Sequence, residues 1–229
     1  MHILIILVTV GLALLAQGYV QSMFRRYSQV SSSSGYSGAE VASEILRRNG
    51  LGDVGIAESN SFLGDHYDPS RRRVVLSSAV FHGTSLSALG VAAHEVGHAL
   101  QHQQGYFPLH LRTLAVGATH FASQMIFWIP ALGMVGGLMK PTLGLTLMAV
   151  GWGVIMLFNL VTLPVEYNAS RRAKEMLSRL GFVRTREEAG GVAVVLNAAA
   201  LTYFAAFVSS LLFLLLYLLP LVGVGRSRD

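Results

Sequence analysis

Cysteine is absent from all 229 residues, and charge is scarce, at 13% of the chain. The missing thiols exclude a disulfide-stapled secreted fold, a cysteine-ligated zinc or iron–sulfur site and a thiol nucleophile. A soluble domain carries about 25% charged residues, so half that share, with 52% hydrophobic residues and a mean hydropathy of +0.52, excludes an ordinary water-soluble globule. Acidic residues are the scarcer sign, 12 against 17 basic, and the pI is about 9.8. No aromatic interleaving or nucleic-acid motif accompanies the basic residues, so no nucleic-acid partner is expected. There is no internal repeat, and the only low-complexity tract is Ser31–Ser34.

What the chain has instead is long apolar segments, four of them sufficient for a bilayer, which takes roughly 20 apolar residues. They are Ile3–Val20, Thr113–Met139, Thr142–Leu163 and Leu201–Val222, the last with a helical lead-in over Val192–Ala200. His120 and Gln124 are the polar members of the second, and Pro130 is placed to kink it. The first reads as a retained anchor, because neither a basic n-region nor an A-x-A cleavage site accompanies it. The expected organisation is a first transmembrane helix over 1–22, a cytoplasmic region over 23–112, a transmembrane hairpin over 113–163, a second cytoplasmic helical region over 164–200 and a last span with a short tail over 201–229.

Orientation follows from the Lys/Arg asymmetry. Residues 21–112 hold eight basic side chains and residues 164–191 six, against only Lys140, Arg226 and Arg228 elsewhere. Four spans put both basic stretches on one face, which the positive-inside rule makes cytoplasmic. The lipid bilayer is thus the first partner, and anionic headgroups account for part of the basic excess.

Within the polar stretches, Ser31–Gly35 reads as a flexible linker, and Ser37-Gly-Ala-Glu40 has the spacing of a capping box before a helix ended by Asn49-Gly50. Gly55–Glu58 and Arg73–Ser77 are β-branched-rich runs separated by the turn cluster His66–Ser70, which predicts a small hairpin or sheet. Arg73–Ser77 is either a strand to whose edge an extended substrate could add or simply a core strand. A helix capped by Thr84 or Ser85 is predicted to run to about Gln103.

That helix carries His94-Glu95-Val96-Gly97-His98. Histidines at i and i+4 share one helix face, so both imidazoles can reach one metal ion, and a glutamate beside the first can take a proton from water there. A catalytic zinc needs a third protein ligand, with His82, His102, His110, His120 and Glu166 as candidates. His102 continues the i+4 series, but three such positions span about 12 Å along a helix at roughly 1.5 Å per residue, too far for one ion. Glu166 is the better choice. It follows Pro164, a favoured first-turn residue, and the expected hairpin returns it to the face of His94 and His98. Tyr203, at the cytoplasmic start of the last span, is the candidate oxyanion donor, a place an interfacial belt tyrosine also occupies. His66 and His82 read as polar loop residues.

The segments Ala92-Ala93-His94-Glu95-Val96-Gly97-His98-Ala99 and Leu163-Pro164-Val165-Glu166-Tyr167-Asn168-Ala169-Ser170-Arg171-Arg172 resemble those of the YugP-type neutral zinc metallopeptidases of bacterial membranes, and the resemblance extends over most of the chain, including Ala198–Tyr203. More distantly the chain is similar to the HtpX-type and CAAX-prenyl membrane endopeptidases. The resemblance implies one zinc ion per chain on His94, His98 and Glu166, with Glu95 as general base. The implied fold is mainly α and membrane-integral, four transmembrane helices plus a small cytoplasmic α+β zincin-like catalytic part. The implied activity is that of a gluzincin-like zinc metalloendopeptidase of the cell inner (cytoplasmic) membrane, cutting membrane or membrane-associated proteins at the cytoplasmic face with a zinc-activated water. Its partners would be protein or peptide substrates and other membrane proteins. The alternative is a non-catalytic metal-binding scaffold or transporter that retains the fold. Cleavage inside the bilayer is disfavoured, since Leu86–Ala93 offers only eight apolar residues before His94. Where the distant relatives place an aspartate four residues after the ligand glutamate, this chain has Ser170, so the partner that orients His94 is open, with Asn168 one candidate.

Overall fold

The computed structural model describes residues 2–60, 64–134 and 139–223. These form, in chain order, α1 (His2–Ser28), α2 (Gly38–Arg48), β1 (Gly55–Ser59), β2 (His66–Asp68), β3 (Arg73–Ser77), α3 (Ser78–Phe81), α4 (Leu86–Gln103), α5 (Phe107–Met134), α6 (Pro141–Arg179) and α7 (Arg186–Leu218). The chain is mainly helical and divides into two compact units. One comprises Met1–Ala16, His110–Leu163 and Thr202–Asp229, the other Gln17–Leu109 and Pro164–Leu201.

In the first unit the described residues are helical apart from short turns, and their surface is apolar. Among the described residues three helices are long and apolar enough to cross a membrane: Ile3–Ser28, Pro141–Arg179 and Arg186–Leu218. The expected span Thr113–Met139 lies partly outside the described residues, at 135–138. Its described part belongs to α5, where His120, Ser123 and Gln124 dilute the apolar run. The tail with Arg226 and Arg228 also lies outside them. Trp152 of α6 stacks on Phe213 of α7 with ring centroids 4.3 Å apart, and Asn159 of α6 donates to Ala206 O and Ser210 Oγ of α7.

The second unit has a dense core. The predicted capping box starts α2: Ser37 accepts from Glu40 N, while Glu40 accepts from Ser37 N. The helix turns Val41, Ala42, Ile45 and Leu46 inward against Val74 and Leu76 of β3, Leu89, Ala92 and Val96 of α4, Met176 and Leu177 of α6, and Val192 and Leu196 of α7. α4 is buried on nearly every side, which explains a sequence apolar around most of its circumference.

Several expectations are settled or corrected here. The sheet has the order β1-β3-β2, with β1 parallel and β2 antiparallel to β3. Of the hairpin or sheet expected, the structure has the sheet, with β1 and β3 parallel rather than joined as a hairpin, and β2 occupies part of the expected turn cluster. The reversal lies at Pro69–Arg72, where Asp68 Oδ1 accepts from Ser70 N, Ser70 Oγ and Arg71 N. β3 is the central strand, paired with β1 along its whole length and with β2 over Arg73–Val75, while Ser77 N and Oγ donate to Asp65, so of the two alternatives it is a core strand rather than a free edge. The serine run is no flexible linker either. Ser32 Oγ donates to Phe182 O at 2.7 Å, Ser32 N to Thr84 O, and Ser33 N to Glu188 Oε1 at 2.6 Å. Finally, Pro164 does not open a helix but sits inside the 39-residue α6. Proline removes one helical N–H, and long membrane helices tolerate that loss where neighbouring groups compensate.

Candidate metal centre

α4 begins at Ser85, whose hydroxyl accepts from Ala88 N, and its buried apolar faces fix the helix so that His94 and His98 project together from one side. The rings meet edge to face, centroids 4.8 Å apart. Facing them is α6, and the approach is close because position 97 is glycine: a Cβ there would stand 2.8 Å from Ala169 O and 3.2 Å from Ala169 Cα. This contact brings Glu166, 2% exposed, onto both imidazoles. Its Oε2 lies 3.2 Å from His94 Nε2 and 3.7 Å from His98 Nε2.

The three donor atoms fall within 4.8 Å of one another. Tetrahedral zinc with bonds near 2.1 Å sets its ligand atoms about 3.4 Å apart, a spacing that the two carboxylate–imidazole distances bracket. Two neutral imidazoles and one carboxylate are also the donor chemistry zinc takes in sites that keep a position open. The residues fit the ion.

Burial alone would lower the pKa of His98. The hydrogen bond that Glu166 accepts, the charges of Glu95 and Glu166, and the bond to Gln101 outweigh it and raise the pKa above its ordinary value. The field of Glu95 and Glu166 at His98 therefore favours positive charge. Glu95, 8% exposed, follows His94 on α4 and contributes to that field.

Of the other sequence candidates, His102 turns from the ligand group to Tyr67, with Nδ1 2.9 Å from the phenol oxygen. His82 pairs with Glu58, and His66 Nδ1 lies 2.7 Å from Gly64 O at the start of β2. His110, His120 and Tyr203 belong to the other unit and are not in the ligand group. The partner of His94 is Ser170 itself, its Oγ 3.2 Å from Nδ1, rather than Asn168. Sequence reasoning missed Gln101, which is fully buried beside His98. Its signal was a long polar side chain three residues past His98, on the same face of an otherwise apolar helix.

A helix-borne histidine pair answered by a buried carboxylate from a second helix, one long and apolar enough to cross a membrane, defines a membrane-protein class with a candidate three-ligand metal site. The whole described chain sharpens that class. The model of the family described as "Putative neutral zinc metallopeptidase" matches residues 2–222, and the chain belongs to this family. It is 46% identical over 234 residues, the full length of both chains, to the "Putative membrane protease YugP" of Bacillus subtilis (strain 168). No solved structure matches it.

Proposed function

We propose that this protein is a membrane-integral zinc metalloendopeptidase that hydrolyses peptide bonds of membrane or membrane-associated proteins at the cytoplasmic face of the cell inner membrane. The observation that carries the reading is the convergence of His94, His98 and Glu166 beside Glu95, in a chain whose family and relative are described as peptidase and protease. His94, His98 and Glu166 would hold one zinc per chain. Bound there, zinc would supply Lewis acidity, acidifying water near neutral pH and polarising the scissile carbonyl. Glu95 accepts the proton of the attacking water and delivers it to the leaving amine. Tyr203 is the candidate donor to the developing oxyanion.

A four-span topology is supported by connectivity. The chain leaves the second unit after Leu109 and re-enters it at Pro164. Since α6 is long enough to cross once, the return requires a second crossing, and α5 supplies it. The basic residues of 21–112 and 164–191 then share the cytoplasmic face.

Full-length protein and its Glu95→Gln variant, purified in detergent, should both carry about one zinc per chain by mass spectrometry. Cleavage of membrane-protein fragments, found by comparing the proteomes of membranes bearing each form, should fall about 10²–10⁴-fold in the variant. Undiminished cleavage by Glu95→Gln refutes the mechanism. A zinc-loaded wild type with no Glu95-dependent fragment would instead be a metal-binding scaffold.

A further inference from the structure

The two imidazoles are backed by side chains that differ in kind. Ser170 Oγ, behind His94, can donate or accept, so it does not dictate which ring nitrogen carries the proton. Gln101, behind His98, cannot be turned around. Its Nε2 donates to the backbone oxygen of Val165 at 2.8 Å and to Asn168 Oδ1 at 3.0 Å. A backbone carbonyl only accepts. Asn168 is fixed in turn by Arg172, whose Nε, a group that only donates, reaches the same Oδ1 at 2.7 Å. Two independent acceptors thus hold the amide nitrogen of Gln101, and its Oε1 is left facing His98 Nδ1 at 3.0 Å. The nitrogen opposite an obligate acceptor must carry hydrogen.

We infer that Gln101 is a positioning residue that holds the His98 proton on Nδ1, so that Nε2, the ring nitrogen beside Glu166, is the one left to ligate the ion. The inference rests on the reading of His94, His98 and Glu166 as zinc ligands. It adds that one carboxamide couples the second ligand, on α4, to the backbone next to the third, on α6, since Val165 adjoins Glu166. The polarity originates at the Arg172 guanidinium, which only donates, and a peptide carbonyl, which only accepts. Ser170 gives His94 no such bias, so the two histidines are held unequally.

Zinc affinity of the full-length protein in detergent, measured by competition with a chromophoric chelator, tests this with three variants. Gln101→Met keeps the length and removes acceptor and donors together. Gln101→Glu keeps an acceptor toward His98 but loses the donors to Val165 and Asn168. His94→Ala is the control for the site. Removing the partner of a ligating histidine costs 10–100-fold in metal affinity, and that loss is expected for Gln101→Met, whereas Gln101→Glu stays within a few-fold of wild type. Both variants should melt lower than wild type in the zinc-free state, because both lose the α4–α6 bridge. In ¹H–¹⁵N spectra of zinc-loaded protein, the His98 Nδ1–H signal should be protected in wild type and Gln101→Glu, and lost to water exchange in Gln101→Met. Equal losses of affinity in the two Gln101 variants reduce Gln101 to a structural bridge and overturn the inference, as does an unchanged affinity in Gln101→Met. If His94→Ala binds zinc as tightly as wild type, the ligand assignment itself fails, a result separable from any Gln101 outcome.

Discussion

Polar side chains behave differently in the two units. In the helices of the first, hydroxyls are satisfied within their own turn: Thr119 donates to Ala115 O, Ser123 to Thr119 O, Thr146 to Thr142 O and Thr162 to Phe158 O. In the second, several reach across the chain, beside local bonds such as Ser28 Oγ to Arg25 O. Ser32 bonds Phe182, Ser33 bonds Glu188, Gln101 bonds Val165 and Ser170 bonds His94. A helix facing hydrocarbon has no water to complete a dangling donor, so local back-bonding to the i−4 carbonyl is the economical solution. A unit with its own core can spend polar groups on joining segments far apart in sequence. Those joints are what assemble a site.

The largest way to break this contrast is at the joint itself. Gly97→Ala would drive a Cβ to 2.8 Å from Ala169 O, and backbone cannot rotate aside as a side chain can. Overpacking of this kind costs about 1–3 kcal/mol. Because Ala169 lies three residues beyond Glu166, relief by displacement of α6 also carries the carboxylate away from the imidazoles. The variant should melt several degrees lower by calorimetry and lose zinc affinity in the same preparation. A variant with wild-type melting and wild-type zinc content would show that close helix approach does not set the ligand spacing.

How much of this was legible follows the same division. The His94/His98 pair, the Ser37–Glu40 capping box and the Ser85 cap are short-range patterns, and each stands in the structure where its spacing put it. Glu166 was reachable because the expected membrane hairpin constrains where the chain must return. The serine run misled because its composition speaks only of local flexibility, while the partner of Ser32 lies 150 residues away. Gln101 was passed over for the same reason: what makes it more than a polar helix residue is a carbonyl 64 residues further on. Pro164 was read as a helix start because, locally, that is where proline is best tolerated. The parallel β1–β3 pairing was illegible because proximity in sequence favoured a hairpin.

A smaller effect is expected from a place where the first unit departs from this pattern. Asn159 bonds a different helix, α7, through Ala206 O and Ser210 Oγ. Hydrogen bonds between membrane helices average about 0.6 kcal/mol, so Asn159→Leu should destabilise the protein by about 1 kcal/mol in detergent unfolding while zinc content stays at wild type. A loss of several kcal/mol would mean that cross-chain polar joints matter as much here as in the second unit.

The smallest effect has the opposite sign and comes from two adjacent glycines in the first turns of α7. At Gly191 an added Cβ would meet Leu86 Cδ1 at 2.7 Å and the Tyr27 ring at 2.8 Å, with Leu86 itself buried. At Gly190 nothing lies within 4 Å. Alanine at a helical position with open space restricts the unfolded chain without disturbing the folded one, worth about 0.4–1 kcal/mol. Gly190→Ala should therefore raise the melting temperature by a degree or more with zinc affinity unchanged, while Gly191→Ala lowers it. Since helix propensity is the same at both positions, any difference between the two measures packing alone, and equal shifts would show that the start of α7 is not pressed against Leu86 and Tyr27.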